Sequence, residues 1–190
     1  PEGNHTTPGR KTLNVDEGDL KRANEICDEL IGGAESVGMS RELMLPSVVA
    51  YVVTRKFMDR FDCNAFSIPC PDACSTRRLN EGKFTMCLTH ALNAEAGIPS
   101  SCEYDLPAAL SEQALIAVSG MSPYMGNTCP IPVLDGRFKQ VFGATKEKLE
   151  ELAKDPENID RLWMTQHSVA HRCHPDPSAQ APYRIAPFAY

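Results

Sequence analysis

No run of this chain is apolar for long enough to cross a bilayer. The longest candidate, Leu43 to Val53, is broken by Pro46 and Ser47, and the N-terminal stretch has no secretory h-region. Basic residues form no stripe, and the formal net charge of −6 excludes general affinity for nucleic acid backbones or anionic membrane surfaces, both of which need clustered Lys and Arg. No Walker A pattern and no GxGxxG is present, so nucleotide binding has no support. No GxSxG elbow frames a serine, so Ser168 beside His167 and Asp176 makes no triad. Internal repeats and low-complexity tracts are also missing. These absences leave a soluble, cytoplasmic chain as the expectation, with no nucleic acid or membrane partner.

What is present is enough apolar residue in 190 positions to bury a core of one domain, or one and a fraction. Eight cysteines would allow four disulfides in a small secreted scaffold. Here they lie inside apolar helical and strand patterns of a mid-sized chain, so reduced thiols packed as small hydrophobes are expected.

Along the chain, helical and strand patterns alternate. Leu20, Ala23, Ile26, Cys27, Leu30 and Ile31 recur at helical spacing, with Asp16 as N-cap and Gly32-Gly33 as the stop. Ser40 caps a second helix running to about Arg60, apolar around nearly its whole circumference and therefore expected to be buried, with Pro46 tolerated near its start. Asn64 to Ile68, closed by Pro69, reads as an inner strand. Phe84, Cys87, Leu88, Ala91 and Leu92 form a helical stripe ended by Gly97 and Pro99. Ser100 to Tyr104 fits a further strand. Asp105 then caps a helix with Pro107 in its first turn and Leu110, Ala114, Ala117 and Val118 on one face, up to Gly120.

This βαβα order predicts an α/β fold, a Rossmann-like parallel sheet covered by helices. Met121 to Arg137 reads mostly as loop, Lys146 to Lys154 as a short charged helix, Arg161 to His167 as a strand, and the Pro-rich tail from Ser168 as the opening of another module. The organisation expected is an N-terminal extension (1–15), an α/β domain (16–130), and a connection with the start of a β-rich C-terminal module (131–190).

In open α/β sheets, ligands sit beyond the carboxyl ends of the strands, where Asp105 falls. A carboxylate there caps its own helix, faces a ligand or metal, or does part of both. Glu81, before the Phe84 to Ala94 helix, reads as a first-turn acid favoured by the helix dipole unless it too meets a ligand. The other cluster of ligating types is His167-Ser-Val-Ala-His171-Arg-Cys173-His174, which lacks the paired CxxC arms of a structural zinc finger. Cys70-Pro-Asp-Ala-Cys74 is one residue too wide for a thioredoxin-type CxxC and lacks the third cysteine of an iron–sulfur radical enzyme.

The run Leu92-Asn-Ala-Glu-Ala-Gly-Ile-Pro-Ser-Ser-Cys-Glu-Tyr-Asp-Leu-Pro-Ala-Ala-Leu110, continued by Leu115 to Gly126, resembles a segment of the L-fucose and L-arabinose isomerase-like family. The shared pattern is a leucine-containing helix, a Gly-Ile-Pro turn, a Cys-Glu-x-Asp strand end and an alanine-rich helix, best matched over residues 60 to 130. That resemblance implies a divalent metal, Mn²⁺ or another cation such as Mg²⁺, held by a Glu, an Asp and a distal His. It implies aldose–ketose interconversion through an enediol. Carried over by position, the Asp falls on Asp105, the Glu on Glu81 with Asp72 as the fallback, and the His on His167 with His171 and His174 competing. Glu81 and Asp105 would then serve both as ligands and as proton carriers.

Tyr104 stands where many relatives carry Gly, and Pro130 to Arg161 is insertion-like. Family enzymes are far longer and complete the site with a following β-rich domain, often across subunits. The chain is thus expected to be either a fragment or subunit of such an enzyme, acting on a small sugar as a homo-oligomer or with a companion chain, or a shortened relative that has lost the activity. The alternatives are a non-catalytic α/β carbohydrate-binding or assembly module whose carboxylates are caps, and a zinc protein using Cys70, Cys74, Cys173 or His174.

Overall fold

The computed structural model describes residues 15–70, 72, 81–130, 133, 134, 137, 138, 147, 150, 151, 154, 163–167, 169, 171–174, 176 and 179–187. Two compact units divide the chain. One comprises the described residues of Pro1–Tyr124 and Val169–Tyr190, the other those of Met125–Ser168.

The first unit opens on α1 (Glu17–Gly33), started by a reciprocal capping box in which Asp16 Oδ1 accepts the Asp19 N–H at 2.9 Å and Asp19 Oδ2 accepts the Asp16 N–H at 3.0 Å. Lys56 Nζ lies 2.7 Å from both carboxylates and ties that end to the next helix. After β1 (Ser36–Val37), α2 (Arg41–Arg60) starts at Ser40, whose Oγ accepts the Leu43 N–H at 3.4 Å. The core forms where these helices meet. Ala23, Ile26, Cys27 and Leu30 of α1 pack on Met44 and Val48 of α2 and on Leu92 of α3 (Cys87–Glu95). Burying each of the larger side chains contributes roughly 1.5–3 kcal/mol. α2 is not wrapped by protein on all sides, as its apolar circumference suggests. Leu43 and Phe57 are exposed, and the buried face is Met44, Ser47, Val48, Thr54 and Met58.

α3 starts three residues later than the apolar stripe predicts. Lys83 has a left-handed φ of 54° and the Phe84 ring lies against Gly82, so the chain bends there before Thr85 accepts the Cys87 N–H. β2 (Phe66–Ser67) and β3 (Ser100–Ser101) pair in parallel, Phe66 opposite Ser100 and Ser67 opposite Ser101. α4 (Leu106–Ser119) follows, capped by Asp105 with Pro107 in its first turn and closed by Gly120 at φ 69°, a left-handed residue where a Cβ would be strained. Its apolar residues do not form the inner face. Leu110 and Val118 are 72% and 89% exposed, and the buried positions are Ala109 and Glu112.

The tail packs into this same unit. β8 (Arg184–Ile185) pairs in parallel with β1, Ile185 packs against the α1–α2 core, and the Tyr183 hydroxyl donates to the Leu30 carbonyl at 2.7 Å. Gly33 makes room for it, because a Cβ there would sit 2.6 Å from that hydroxyl. Arg172 pins the tail to the end of α3. Its Nε and Nη2 donate to the Glu95 carboxylate at 2.8 and 2.5 Å, its backbone N–H adds a third bond at 2.9 Å, and its guanidinium lies 4.7 Å from the Tyr183 ring centroid.

The second unit holds two antiparallel pairs, β4 (Asn127–Pro130) with β7 (Trp163–Gln166) and β5 (Val133–Leu134) with β6 (Arg137–Phe138), so the segment read as loop carries strands. Of the charged helix expected over Lys146 to Lys154, only Glu147, Glu150, Glu151 and Lys154 lie within the described residues, the first three helical. The architecture is therefore mixed α/β with parallel pairs in the first unit. Among the described residues the strands form two-stranded pairs in place of one continuous Rossmann-like sheet. The reason is length: β1, β2, β3 and β8 span two residues each, too few to carry a wide ladder. No described helix is long and apolar enough to cross a membrane.

Candidate functional site

The Phe66 N–H donates to the Pro99 carbonyl at 2.9 Å where β2 and β3 start, and the Tyr104 N–H donates to the Ile68 carbonyl at 3.0 Å, which draws their carboxyl ends together beyond the two-residue ladder. β3 then leads through Cys102, Glu103 and Tyr104 into α4. This strand end and helix start is the location at which α/β folds bind ligands. Glu103 and Tyr104 both have left-handed backbone, with φ of 61° and 59°. Neither is glycine, and each such residue costs on the order of 1–3 kcal/mol. A type of strain that clusters at functional sites thus directly precedes Asp105.

Asp105 is exposed, and its Oδ1 accepts the Ala108 N–H at 2.9 Å. Its own carbonyl accepts from the Ser101 hydroxyl at 2.8 Å, which holds the turn to the strand. Oδ2 makes no hydrogen bond among the described residues. Half of the carboxylate is a cap and half is left for another partner.

Behind the turn lies a buried polar cluster that the sequence reading did not single out. Ser100 Oγ is 2.9 Å from His90 Nδ1 and accepts from Asn93 Nδ2 at 3.1 Å, while the Ser100 N–H donates to Glu112 Oε2 at 2.7 Å. His90 and Asn93 are 1% and 0% exposed, and the Phe66 ring lies 5.4 Å from that of His90. Desolvation pushes the Glu112 carboxyl up from its ordinary value, with the Asp105 charge adding to the rise and the Ser100 N–H opposing it. Thr89 Oγ1 and Asn93 Oδ1 are buried without a hydrogen-bond partner among the described residues. The available signal was spacing: Asp105, Ala109 and Glu112 share one face of α4, and His90 and Asn93 share one face of α3.

Cys70 and Cys102 are buried, and burial pushes the Cys102 thiol up from its ordinary value. None of the described cysteines is in a disulfide.

The other expected site residues are more dispersed. Glu81 is exposed in a helical turn that ends at Lys83, separate from α3, so it is not a first-turn acid of that helix. Asp72 is helical and exposed. His167 follows β7 in the second unit, whereas His171 and His174 lie in the first. Both ring nitrogens of His171 are engaged, Nε2 with the Pro123 carbonyl at 3.2 Å and Nδ1 with the Cys173 N–H at 3.2 Å. His174 accepts the Asp176 N–H on Nδ1 at 3.0 Å, which leaves Nε2 as its potential ligating atom. The Cys173 thiol rests 4.0 Å from the Ala94 carbonyl, and Cys74 lies outside the described residues. Among the described residues no three His, Cys, Asp or Glu side chains are grouped to hold a metal ion.

An open groove of about 270 Å³ lies between α2 and β2, lined by Thr54, Phe57, Met58, Phe61, Phe66 and Ser67 among others. None of its described lining residues is a carboxylate. No protein-family model, curated protein or solved structure matches the chain.

Proposed function

We propose that this chain carries the proton-transfer part of a metal-dependent aldose–ketose isomerase, acting on a small sugar either as a homo-oligomer or with a companion chain that completes the site. One observation carries the reading. Asp105 stands exposed at the end of β3, presented by two consecutive left-handed non-glycine residues, with one oxygen held by the Ala108 N–H and the other unengaged among the described residues.

That unengaged oxygen fits a hard divalent cation, for which carboxylate ligands are the natural choice. Mn²⁺ or Mg²⁺ would be held by Asp105 and Glu81, the two carboxylates the resemblance assigns, with a histidine as a further ligand. When bound, the cation supplies positive charge that polarises a neighbouring carbonyl and makes the adjacent C–H easier to deprotonate. The carboxylates of Asp105 and Glu81 take that proton from one carbon and return it to the next. The Ser101–Asp105 and Ala108–Asp105 bonds fix the acid's position, which limits the reorganisation needed as the proton moves.

The cap bond also favours a second reading, a non-catalytic carbohydrate-binding or assembly module in which Asp105 only ends a helix. Titration of the EDTA-treated chain with Mn²⁺, followed by calorimetry, separates the two. The isomerase reading expects one Mn²⁺ per chain, with affinity lowered at least tenfold in Glu81→Gln and in Asp105→Asn. Metal binding that is absent, or unchanged in both variants, would remove it. Aldose-to-ketose conversion by the Mn²⁺-loaded chain is the direct assay.

A further inference from the structure

α4 packs with its polar side inward. Its buried residues are Ala109 and Glu112, and the Glu112 carboxylate, accepting the Ser100 N–H at 2.7 Å, fixes that orientation. The opposite side is apolar and open to solvent. Leu106 is 51% exposed, Leu110 72% and Val118 89%, and Ala114 and Ala117 are exposed between them. Glu112 is the one charged residue of the helix, so the exposed surface of α4 carries no charge at all. On α1 and α2, by contrast, exposed charges surround the apolar positions that reach solvent. A contiguous apolar surface without charge is what proteins keep for contact with another molecule.

Charge and shape say what covers it. A charged partner finds nothing on this face to pair with. A second copy of the chain does fit, because copies of net charge −6 repel where charged faces meet and α4 offers each a neutral one. The bulk along the helix is also matched to itself. Leu110 and Val118 stand four residues before and four after Ala114, so turning a second α4 end for end brings each Leu110 against the other copy's Val118. The spacing of Leu110, Ala114 and Ala117, four then three, is that of a helix-pairing seam, with small residues where the backbones come closest. This antiparallel order sets each helix N-terminus beside the other's C-terminus and keeps the Glu103 and Asp105 carboxylates of the two copies apart. Covering the face and its uncharged rim on both copies removes on the order of 1,200 Å² of surface, the lower bound for specific pairs.

We propose that two copies of this chain pair antiparallel through α4, about a two-fold axis at Ala114, in a concentration-dependent dimer. The contact covers Leu110 and Val118 of both copies. It uses no metal and no sugar, so it stands or falls separately from the isomerase reading.

The test is sedimentation velocity of the full chain, without added metal and with a thiol reductant present, from about 1 to about 200 µM, which brackets the micromolar affinity usual for a contact of this size. The sedimenting mass should rise with concentration toward twice that of one chain. The double variant Leu110→Glu/Val118→Glu, which places two carboxylates together at each end of the contact, should stay at the mass of one chain throughout. Its far-ultraviolet circular dichroism should match wild type, because both side chains are exposed within a single copy. The double variant Leu110→Lys/Val118→Glu sets opposite charges against each other only in the antiparallel order, and its association should return to within tenfold of wild type. Leu43→Glu, on the exposed side of α2, should leave association unchanged. A wild-type chain that stays at single mass throughout would overturn the proposal whatever the variants do, and would leave α4 to a different protein or to solvent. Association that survives in the double-glutamate variant, fails to return in the lysine–glutamate variant or is lost in Leu43→Glu would overturn it as well.

Discussion

Around α1 and α2 the buried side chains are mostly apolar, Ala23, Ile26, Cys27, Leu30, Met44, Val48 and Met58 beside Asp19, Ser47 and Thr54, whereas around β3, on α3 and α4, they include Thr89, His90, Asn93, Ser100, Ser101 and Glu112. Both sets belong to one compact unit, yet they are stabilised by opposite means. The first gains from removing apolar surface from water and makes no demand on direction. The second gives up hydration of polar groups and recovers it only through specific hydrogen bonds. The second arrangement holds the strand end and the helix that carry Asp105, through the Ser100 bonds to His90, Asn93 and Glu112.

The comparison is broken most severely by Leu30→Ala. Leu30 is 6% exposed, and its loss removes transfer free energy and leaves a cavity, together costing about 3 kcal/mol. Denaturant unfolding should show the shift in midpoint with little change in slope. A cost below 1 kcal/mol would mean that the α1–α2 contact is not the main source of stability.

Ser100→Ala probes the other region by a different mechanism. It takes away little apolar area, but His90 Nδ1 and Asn93 Nδ2 lose the oxygen between them. Leaving buried groups without a partner costs about 2 kcal/mol here. Ser100→Cys, which restores volume but only a weak acceptor, should recover less than half. Full recovery by cysteine would show that packing and not hydrogen bonding is at stake.

Much of the apolar region was legible in the sequence and little of the polar one was. The stripe Ala23, Ile26, Cys27, Leu30, the caps Asp16, Ser40 and Asp105, and the stop at Gly120 depend on local spacing and local hydrogen bonds, which a sequence displays directly. Periodicity finds an apolar face but does not say that the face is inside. On α4 it selects Leu110 and Val118, yet the helix turns the other way because Glu112 meets the Ser100 N–H. Two-residue strands carry no period at all, so the return of Arg184–Ile185 to Ser36–Val37 had no local signature. Asp105 was legible as an acid at a strand end. The left-handed Glu103 and Tyr104 were not, since neither is a residue type that advertises positive φ.

Glu112→Gln sharpens the contrast through pH. Burial raises the Glu112 carboxyl above its ordinary value of 4.5, so the folded chain holds a proton there more tightly than the unfolded chain does. Stability from this group is therefore greatest on the acid side of its ordinary value and declines as pH rises through the folded-state pKa. Glutamine still accepts from Ser100 and has nothing to ionise. The variant should be up to about 1 kcal/mol more stable than wild type above that transition, with the advantage vanishing in acid. Melting temperatures measured across pH 4 to 8 (roughly the span over which a raised carboxyl titrates) decide it. Parallel curves would show that Glu112 does not titrate in the folded state.

The smallest stability effect is expected at the residue to which the most function is assigned. Asparagine caps helices about as well as aspartate, so Asp105→Asn keeps the bond to the Ala108 N–H and should change stability by less than about 0.5 kcal/mol, while Asp105→Ala loses the cap and costs about 1 kcal/mol. If Asp105 serves only its helix, the order of the variants in any functional assay follows their order in stability, with asparagine nearly wild type. If the second carboxylate oxygen serves a cation, asparagine and alanine fail alike in binding Mn²⁺ although only alanine is destabilised. Thermal melts and metal titrations on the same two proteins therefore separate cap from ligand at a single position. Asparagine retaining wild-type metal affinity would assign Asp105 wholly to the helix.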